Sequence, residues 1–378
     1  MRARRQPGCS SIAFRASENR WAGHDPSGGP PYPPVNIHTT GEKAFMNRSV
    51  EMPHFTAGRG GVIVVGSVSV DVTTFSTRLP LRGETILGDD VTLVLGGKGA
   101  NQAVAAARAG AQTALVGCVG SDAFQSLVLD GLSADGIVLD QMRVVPGATG
   151  VAQIRVDASG ENDIVIVPKA NALLDLDHVS EAIHALAPTS PVMLTQLEIP
   201  LPTVMHAIRR AHAAGLIVIL DPAPAATLPD EIWASIDIVT PNETEASTIT
   251  GVTVTDAESA TEAARWFLDR GTRTAVITLA AAGAVLVTAD GSTTFDAVRV
   301  QAIDTTAAGD AFAGYLGAAL AAGDSLEASI IRGMAAGSIA VTRRGASPSL
   351  PFTAEVDALV KRPAATASSE PGPPAATR

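Results

Sequence analysis

Residues 192–220 read VMLTQLEIPLPTVMHAIRRAHAAGLIVIL, and they hold one complete unit of the fold. Val192–Leu197 is short, apolar and strand-sized. Thr203–Ala214 follows with the spacing of an amphipathic helix, and Ile217–Leu220 is a second apolar strand. The same unit recurs outward in both directions. Strands are expected at Val62–Val65, Ala114–Val119, Ile236–Val239 and Ala275–Leu279. Helices are expected at Gln102–Ala109, Val179–Leu186, Ala257–Asp269, Ala311–Ala322 and Leu326–Ala340. Continuous apolar strands between such helices imply an α/β fold with a mostly parallel sheet covered on both faces. Residues 73–95 and 150–167 break the alternation. They are strand-rich with polar turns and no helix between, so they suit a small separate sheet, a lid.

Composition bounds the function. The chain has 378 residues, 46% of them hydrophobic but only 4% aromatic, so the core is built from Ala, Val, Leu and Ile. The formal charge of −11 disfavours non-specific nucleic-acid binding, which needs a basic face. Two cysteines, Cys9 and Cys118, make no disulfide framework, and a reducing cytoplasm is the expected compartment. No apolar run approaches the ~20 residues that span a bilayer, and no continuous apolar stretch marks a secretory leader. Residues 1–60 carry a Pro-rich run at 30–34 and no helical or strand period, and residues 362–378 are rich in Pro, Ala and Ser. Both are expected to lie outside the ordered domain, 61–361. For the start of the chain two readings stay open. One is a transit peptide, against which Glu18 and Asp25 count; the other is a true start at Met46 or Met52.

Three motifs carry chemistry. Gly96-Gly97-Lys98-Gly99-Ala100-Asn101-Gln102 opens an Ala-rich helix, where glycines admit a ligand close to the backbone and the helix start offers free N–H groups. It is neither a P-loop nor a Rossmann fingerprint, and a glycine turn that merely caps a helix explains it equally well. Asp304-Thr305-Thr306-Ala307-Ala308-Gly309-Asp310 places small residues before a helix, so that consecutive N–H groups are exposed to a phosphoryl group beside Asp310. The bland alternative is a capping acid. In Thr240–Glu245, Asn242 and Glu245 share one side of a first helical turn, yet a plain helix start accounts for them by itself. Glu198 and Asp221 also sit at strand ends, where a single acid is more often solvated. The seven histidines show no metal-like spacing.

Taken in order, these segments resemble ribokinase and its PfkB-type relatives over roughly 62–359. Shorter matches are Gln196–Glu198, Asp221–Pro224 and Val341–Ala346 with Pro348-Ser349. The resemblance implies a central mostly parallel sheet flanked by helices, with a small β lid that mediates a homodimer. It implies ATP and a pentose-like sugar as substrates, Mg²⁺ with the nucleotide and K⁺ as activator. By position, Ser69, Asp71, Gly97, Lys98, Gly99, Ala100, Asn101 and Glu198 correspond to the sugar site. Asp310 corresponds to the catalytic base, with Ala307, Ala308 and Gly309 as its anion hole. Asn242 and Glu245 correspond to the motif tied to Mg²⁺–ATP, and Thr278, Leu279, Ala280, Ala281, Ala282, Gly283 and Met334 to the nucleotide site. Asp304, Thr306, Ala340, Arg343, Gly345 and Ser349 correspond to positions around the monovalent cation.

Three positions depart from the family pattern. Ser69 stands where an Asn usually binds sugar, Ala280–Ala282 replaces a Gly-Ser-Arg-like loop, and Met334 replaces an Asn or His near adenine. The expected reaction is phosphorylation of ribose at its 5-hydroxymethyl group. Deoxyribose, another pentose or a nucleoside remains an alternative substrate, and a non-catalytic sugar- or nucleotide-binding protein is the alternative class.

Overall fold

The computed structural model describes residues 37–38, 60–159 and 161–361. Its main sheet runs in the order β1 (Ile37–His38), β14 (Gly291–Phe295), β13 (Ala284–Thr288), β12 (Thr274–Thr278), β11 (Ile238–Val239), β10 (Ile217–Leu220), β9 (Val192–Thr195), β2 (Gly61–Val65), β5 (Gln112–Gly120) and β6 (Met142–Val145). Pairing is parallel from β12 through β6 and antiparallel from β1 through β12. Strand β1 lies inside the stretch expected to hold no strand. A pair of residues gains ladder hydrogen bonds at an open edge whatever its side-chain period, which is why patterning missed it. The remaining calls on residues 1–59 and 362–378 lie outside the described residues.

The helices are α1 (Lys98–Arg108), α2 (Gln125–Ala134), α3 (Leu176–Leu186), α4 (Leu201–Ala213), α5 (Glu243–Thr250), α6 (Ala257–Leu268), α7 (Ala308–Ala322), α8 (Leu326–Ala340) and α9 (Thr353–Val360). They cover both faces of the sheet. Strand side chains alternate, so Val62 and Val64 of β2 join a core with α1, α7 and α8, through Val104, Leu316 and Ile339. Ile63 and Val65 join the opposite core with α3, α4 and α6, through Ile183, Ile208 and Phe267. Burial on both faces explains why these strands read as unbroken apolar runs.

The small sheet has the order β4 (Asp90–Gly96), β3 (Ser69–Phe75), β7 (Gly150–Val156), β8 (Asn162–Val167). Its flanking pairs are antiparallel and its middle pair, β3 with β7, is parallel. Ser69 is in register with both Gly96 and Gly150, so the lid begins at Ser69, four residues before the expected 73. A side-chain amide fastens its base. Asn171 Oδ1 accepts from the Val68 N–H at 2.9 Å, and its Nδ2 donates to the Val68 carbonyl at 2.8 Å.

Candidate active site

Where the lid meets the C-terminal ends of the parallel strands, a cavity of about 390 Å³ opens. That is where ligands bind in open α/β sheets. One end is built by the turn at Gly97, whose φ of 89° suits glycine. A Cβ at Gly99 would meet the backbone of Gly66 and Ser67 at 2.6 Å, so the glycine lets α1 dock on the end of β2. Gly99 and Ala100 therefore support the site without lining it; the Ala100 N–H donates to the Ser67 carbonyl at 2.9 Å. Glu198 Oε2 accepts from the Ser67 hydroxyl at 2.6 Å and from the Lys98 N–H at 3.0 Å. Neither Glu198 nor Asp221 is a freely solvated acid; Asp221 is only 6% exposed.

Asp71 lies against Gly96, where an added Cβ would come within 2.0 Å of its carboxylate. The Ser69 hydroxyl donates to Asp71 Oδ1 at 3.2 Å. Burial pushes the Asp71 carboxyl up to about 6; the Ser69 hydrogen bond opposes this, while Glu198 and Asp310 add to it. Lys98 faces four carboxylates. Burial would lower its pKa, but Asp310, Asp221, Glu198 and Glu245 together outweigh that and hold the ammonium charged.

Asp310 is the third residue of α7 and 4% exposed. It caps nothing: α7 has no side-chain cap. Its oxygens instead accept from α1, Oδ2 from Asn101 Nδ2 at 3.0 Å and Oδ1 from Gln102 Nε2 at 3.2 Å. Gly314, one turn further along α7, permits this. A Cβ there would meet Ala105 Cβ at 2.5 Å, so a larger residue would force the helices apart. Ala307 adopts a left-handed φ of 60° at the start of α7, a conformation an alanine reaches only at some cost. The turn leaves the first amides of α7 without side-chain acceptors beside the carboxylate. A Cβ at Gly309 would touch no protein atom within 4 Å, so packing does not demand glycine there. Ala307, Ala308 and Gly309 all line the cavity.

At the other end, Asn242 and Glu245 form a reciprocal capping box on α5. The Glu245 N–H donates to Asn242 Oδ1 and the Asn242 N–H to Glu245 Oε2, each at 2.9 Å. Both residues also line the cavity, as does Thr278. Capping and cavity-lining thus coexist in one pair. Leu279–Gly283 lies outside the cavity. Ala280, Ala281 and Ala282 are exposed in a short 3₁₀ turn, with Ala280 at a φ of 45°. Met334 is buried in the apolar core beneath α8 and does not line the cavity either.

Behind the α7 turn, Asp304 ties two segments together. Oδ1 accepts from Thr306 N at 2.9 Å and Thr306 Oγ1 at 2.6 Å, while Oδ2 accepts from Gly345 N at 2.8 Å. Arg343 N donates to the Ala340 carbonyl at 3.0 Å, and buried Ser349 donates to the Ala346 carbonyl at 2.8 Å. Carboxylate, hydroxyl and carbonyl oxygens suit a hard cation. Arg343 itself pairs with Glu355.

Several cavity residues were given no role in the motif reading. Ser67 and Asn171 line it, together with Ala152, Ile154, Ile164 and Ile166 of the lid, and so does Asp221, read from the sequence as a strand-end acid within a matching segment. The period-two spacing of 152, 154, 164 and 166 was the available signal.

Known proteins resemble this chain over most of its length. Residues 60–353 match the description "pfkB family carbohydrate kinase". The chain is 41% identical over 302 residues to ribokinase of Haemophilus influenzae, spanning 79% of this chain and 97% of that protein. It is 35% identical over 292 residues to deoxyribokinase of Salmonella typhi, spanning 77% and 95% respectively. Among solved structures, Arabidopsis thaliana ribokinase complexed with ribose and ATP superposes with a TM-score of 0.73 at 32% identity, covering 80% of this chain and 99% of that one.

Proposed function

The chain belongs to the pfkB family of carbohydrate kinases, and from that premise we propose that it transfers the γ-phosphoryl group of ATP to the 5-hydroxymethyl oxygen of ribose, yielding ribose 5-phosphate and ADP. The observation that carries this reading is the position of Asp310. It stands between a polar sugar end and the open amides of α7, held from behind by two side-chain amides.

Phosphoryl transfer needs positioning and charge stabilisation more than covalent chemistry. Ser69, Asp71 and Glu198 hold sugar hydroxyls. Asp310 orients the acceptor hydroxyl and takes its proton late, as the oxygen–phosphorus bond forms. Lys98 and the amides at Ala307–Gly309 stabilise charge on the equatorial oxygens. Apolar lid residues Ile154 and Ile166 exclude water from the transferring group. Asn242 and Glu245 would hold Mg²⁺, which neutralises phosphate charge when bound; their backbone-satisfied capping bonds fit contact through metal-bound water. The oxygens around Asp304 fit K⁺, which would order the α7 turn from behind. Exposed apolar residues on the lid, among them Leu93 and Val165, support a homodimer through that sheet. The working compartment is the cytoplasm and the catalytic unit 61–361; among the described residues no helix is long and apolar enough to cross a membrane.

Ser69 favours one second reading, 2-deoxyribose, because its only donor proton goes to Asp71 and it can meet a sugar hydroxyl only as an acceptor. The test is ADP release from Mg²⁺–ATP with ribose, 2-deoxyribose or a nucleoside. Ribose should stimulate release most strongly, and stimulation by none of them would leave a binding protein. Rates in K⁺ should exceed those in Na⁺ or Tris severalfold; equal rates would remove the cation from the mechanism.

A further inference from the structure

Two carboxyl groups, Asp221 and Asp310, and two carboxamides, Gln102 and Gln196, meet at the wall of the cavity, none of them more than 6% exposed. Gln102 is 0% exposed and its Nε2 donates twice, to Asp310 Oδ1 at 3.2 Å and to Asp221 Oδ2 at 2.8 Å. Those acceptors come from distant segments, the end of β10 and the start of α7. Gln196, also 0% exposed, donates its own Nε2 to Gln102 Oε1.

The orientation of Gln102 is forced. The Asp310 carboxylate only accepts, so it faces the amide nitrogen, and a flipped Gln102 would set Oε1 against it. Burial pushes the Asp221 carboxyl well above the usual carboxylate range, and the neutral amide of Gln102 sits between the two acids. Removing it would leave both carboxylates short of a buried partner, and leaving a buried charged group unsatisfied is costly. Asp310 can lose its aim by turning about its own side chain, and the Asn101 and Gln102 donors hold its two oxygens against that turn.

We propose that Gln102 is a positioning residue for phosphoryl transfer: fixed by Gln196, it locks the Asp310 carboxylate toward the acceptor hydroxyl and separates it from Asp221. The proposal rests on the reading of Asp310 as the base.

The experiment is a double-mutant cycle of Gln102→Leu and Asp310→Asn, assayed for kcat, sugar KM and the pH dependence of kcat. Gln102→Leu should lower kcat by about 10–100-fold with KM changed less than about threefold. Its acid limb should move to higher pH, because a carboxylate that loses a donor binds its proton more tightly. In the Asp310→Asn background the same substitution should add little, since coupled residues are not additive. Gln196→Met keeps both Gln102 donors but frees the amide to turn, and should give a smaller loss of kcat and a smaller pH shift than Gln102→Leu. Full kcat in Asp310→Asn would sink the base reading itself. Loss in Asp310→Asn with full kcat, or an unmoved pH profile, in Gln102→Leu would overturn the proposal alone. Should Gln102→Leu fail to fold, Gln196→Met decides: full kcat in that variant overturns it.

Discussion

The two ends of the cavity are built on opposite principles. At the sugar end, Ser69, Asp71, Asn101 and Asp310 are all no more than 6% exposed, and their side chains hydrogen-bond to one another or to buried neighbours. Beyond the other end, outside the cavity, the Ala280–Ala282 turn proposed to meet nucleotide is exposed. A buried side chain that recognises a hydroxyl cannot be exchanged without leaving a donor or acceptor unpaired. An exposed turn of alanines carries no such constraint. On the proposed function, the difference places sugar specificity in buried side chains and leaves the nucleotide to chain path.

The comparison breaks most visibly at Asp71. Asp71→Asn should reduce kcat/KM for sugar by about 10–100-fold at pH 8, because the amide replaces an anionic acceptor. In the wild type, kcat/KM should itself fall as pH drops through about 6, the value to which burial raises Asp71. Stability runs the other way. The folded protein holds this proton more tightly than the ordinary value of 3.8, so the contribution is fully present below 3.8 and lost as pH rises through about 6. The Asn variant should therefore melt higher than wild type at pH 8, with the gap closing near pH 4. Parallel melting temperatures across that range would contradict a buried, proton-retaining Asp71.

A smaller effect sharpens the sugar end. Ser69→Asn adds an amide beside the hydroxyls, and should raise the preference for ribose over 2-deoxyribose by about 1–2 kcal/mol, or roughly 5–30-fold. An unchanged ratio of kcat/KM values would show that Ser69 does not read the sugar.

The smallest effect belongs to the nucleotide end. Ala280 holds a φ of 45°, a region costly for a residue with a Cβ. Ala280→Gly should raise stability by about 0.5–1 kcal/mol in denaturant melts and leave the KM for ATP within about twofold. A large change in that KM would mean the alanine side chain contacts nucleotide, and the contrast between the ends would fail.

Much of the fold was legible. Strands β2, β5 and β10 start or end within about two residues of their apolar runs because each is buried on both faces. The Gly96–Gln102 and Asp304–Asp310 motifs were legible because their glycines and small residues answer to local geometry. Strand β1 was not, since two residues at a sheet edge carry no period. The full depth of Asp221 was not either: an acid at a strand end looks solvated until α1 brings Gln102 against it.

The sequence by itself determined the layers, the lid and the order of the motifs, because amphipathic period and turn chemistry act within a few residues. Only the tertiary structure decided what Asp310 contacts. A capping acid and a buried acid look alike at the third position of a helix, and the difference lies in partners 209 and 208 residues away, Asn101 and Gln102. Those partners arrive because Gly314 lets α7 settle onto α1. Contact between distant segments depends on packing distance, which no local pattern encodes.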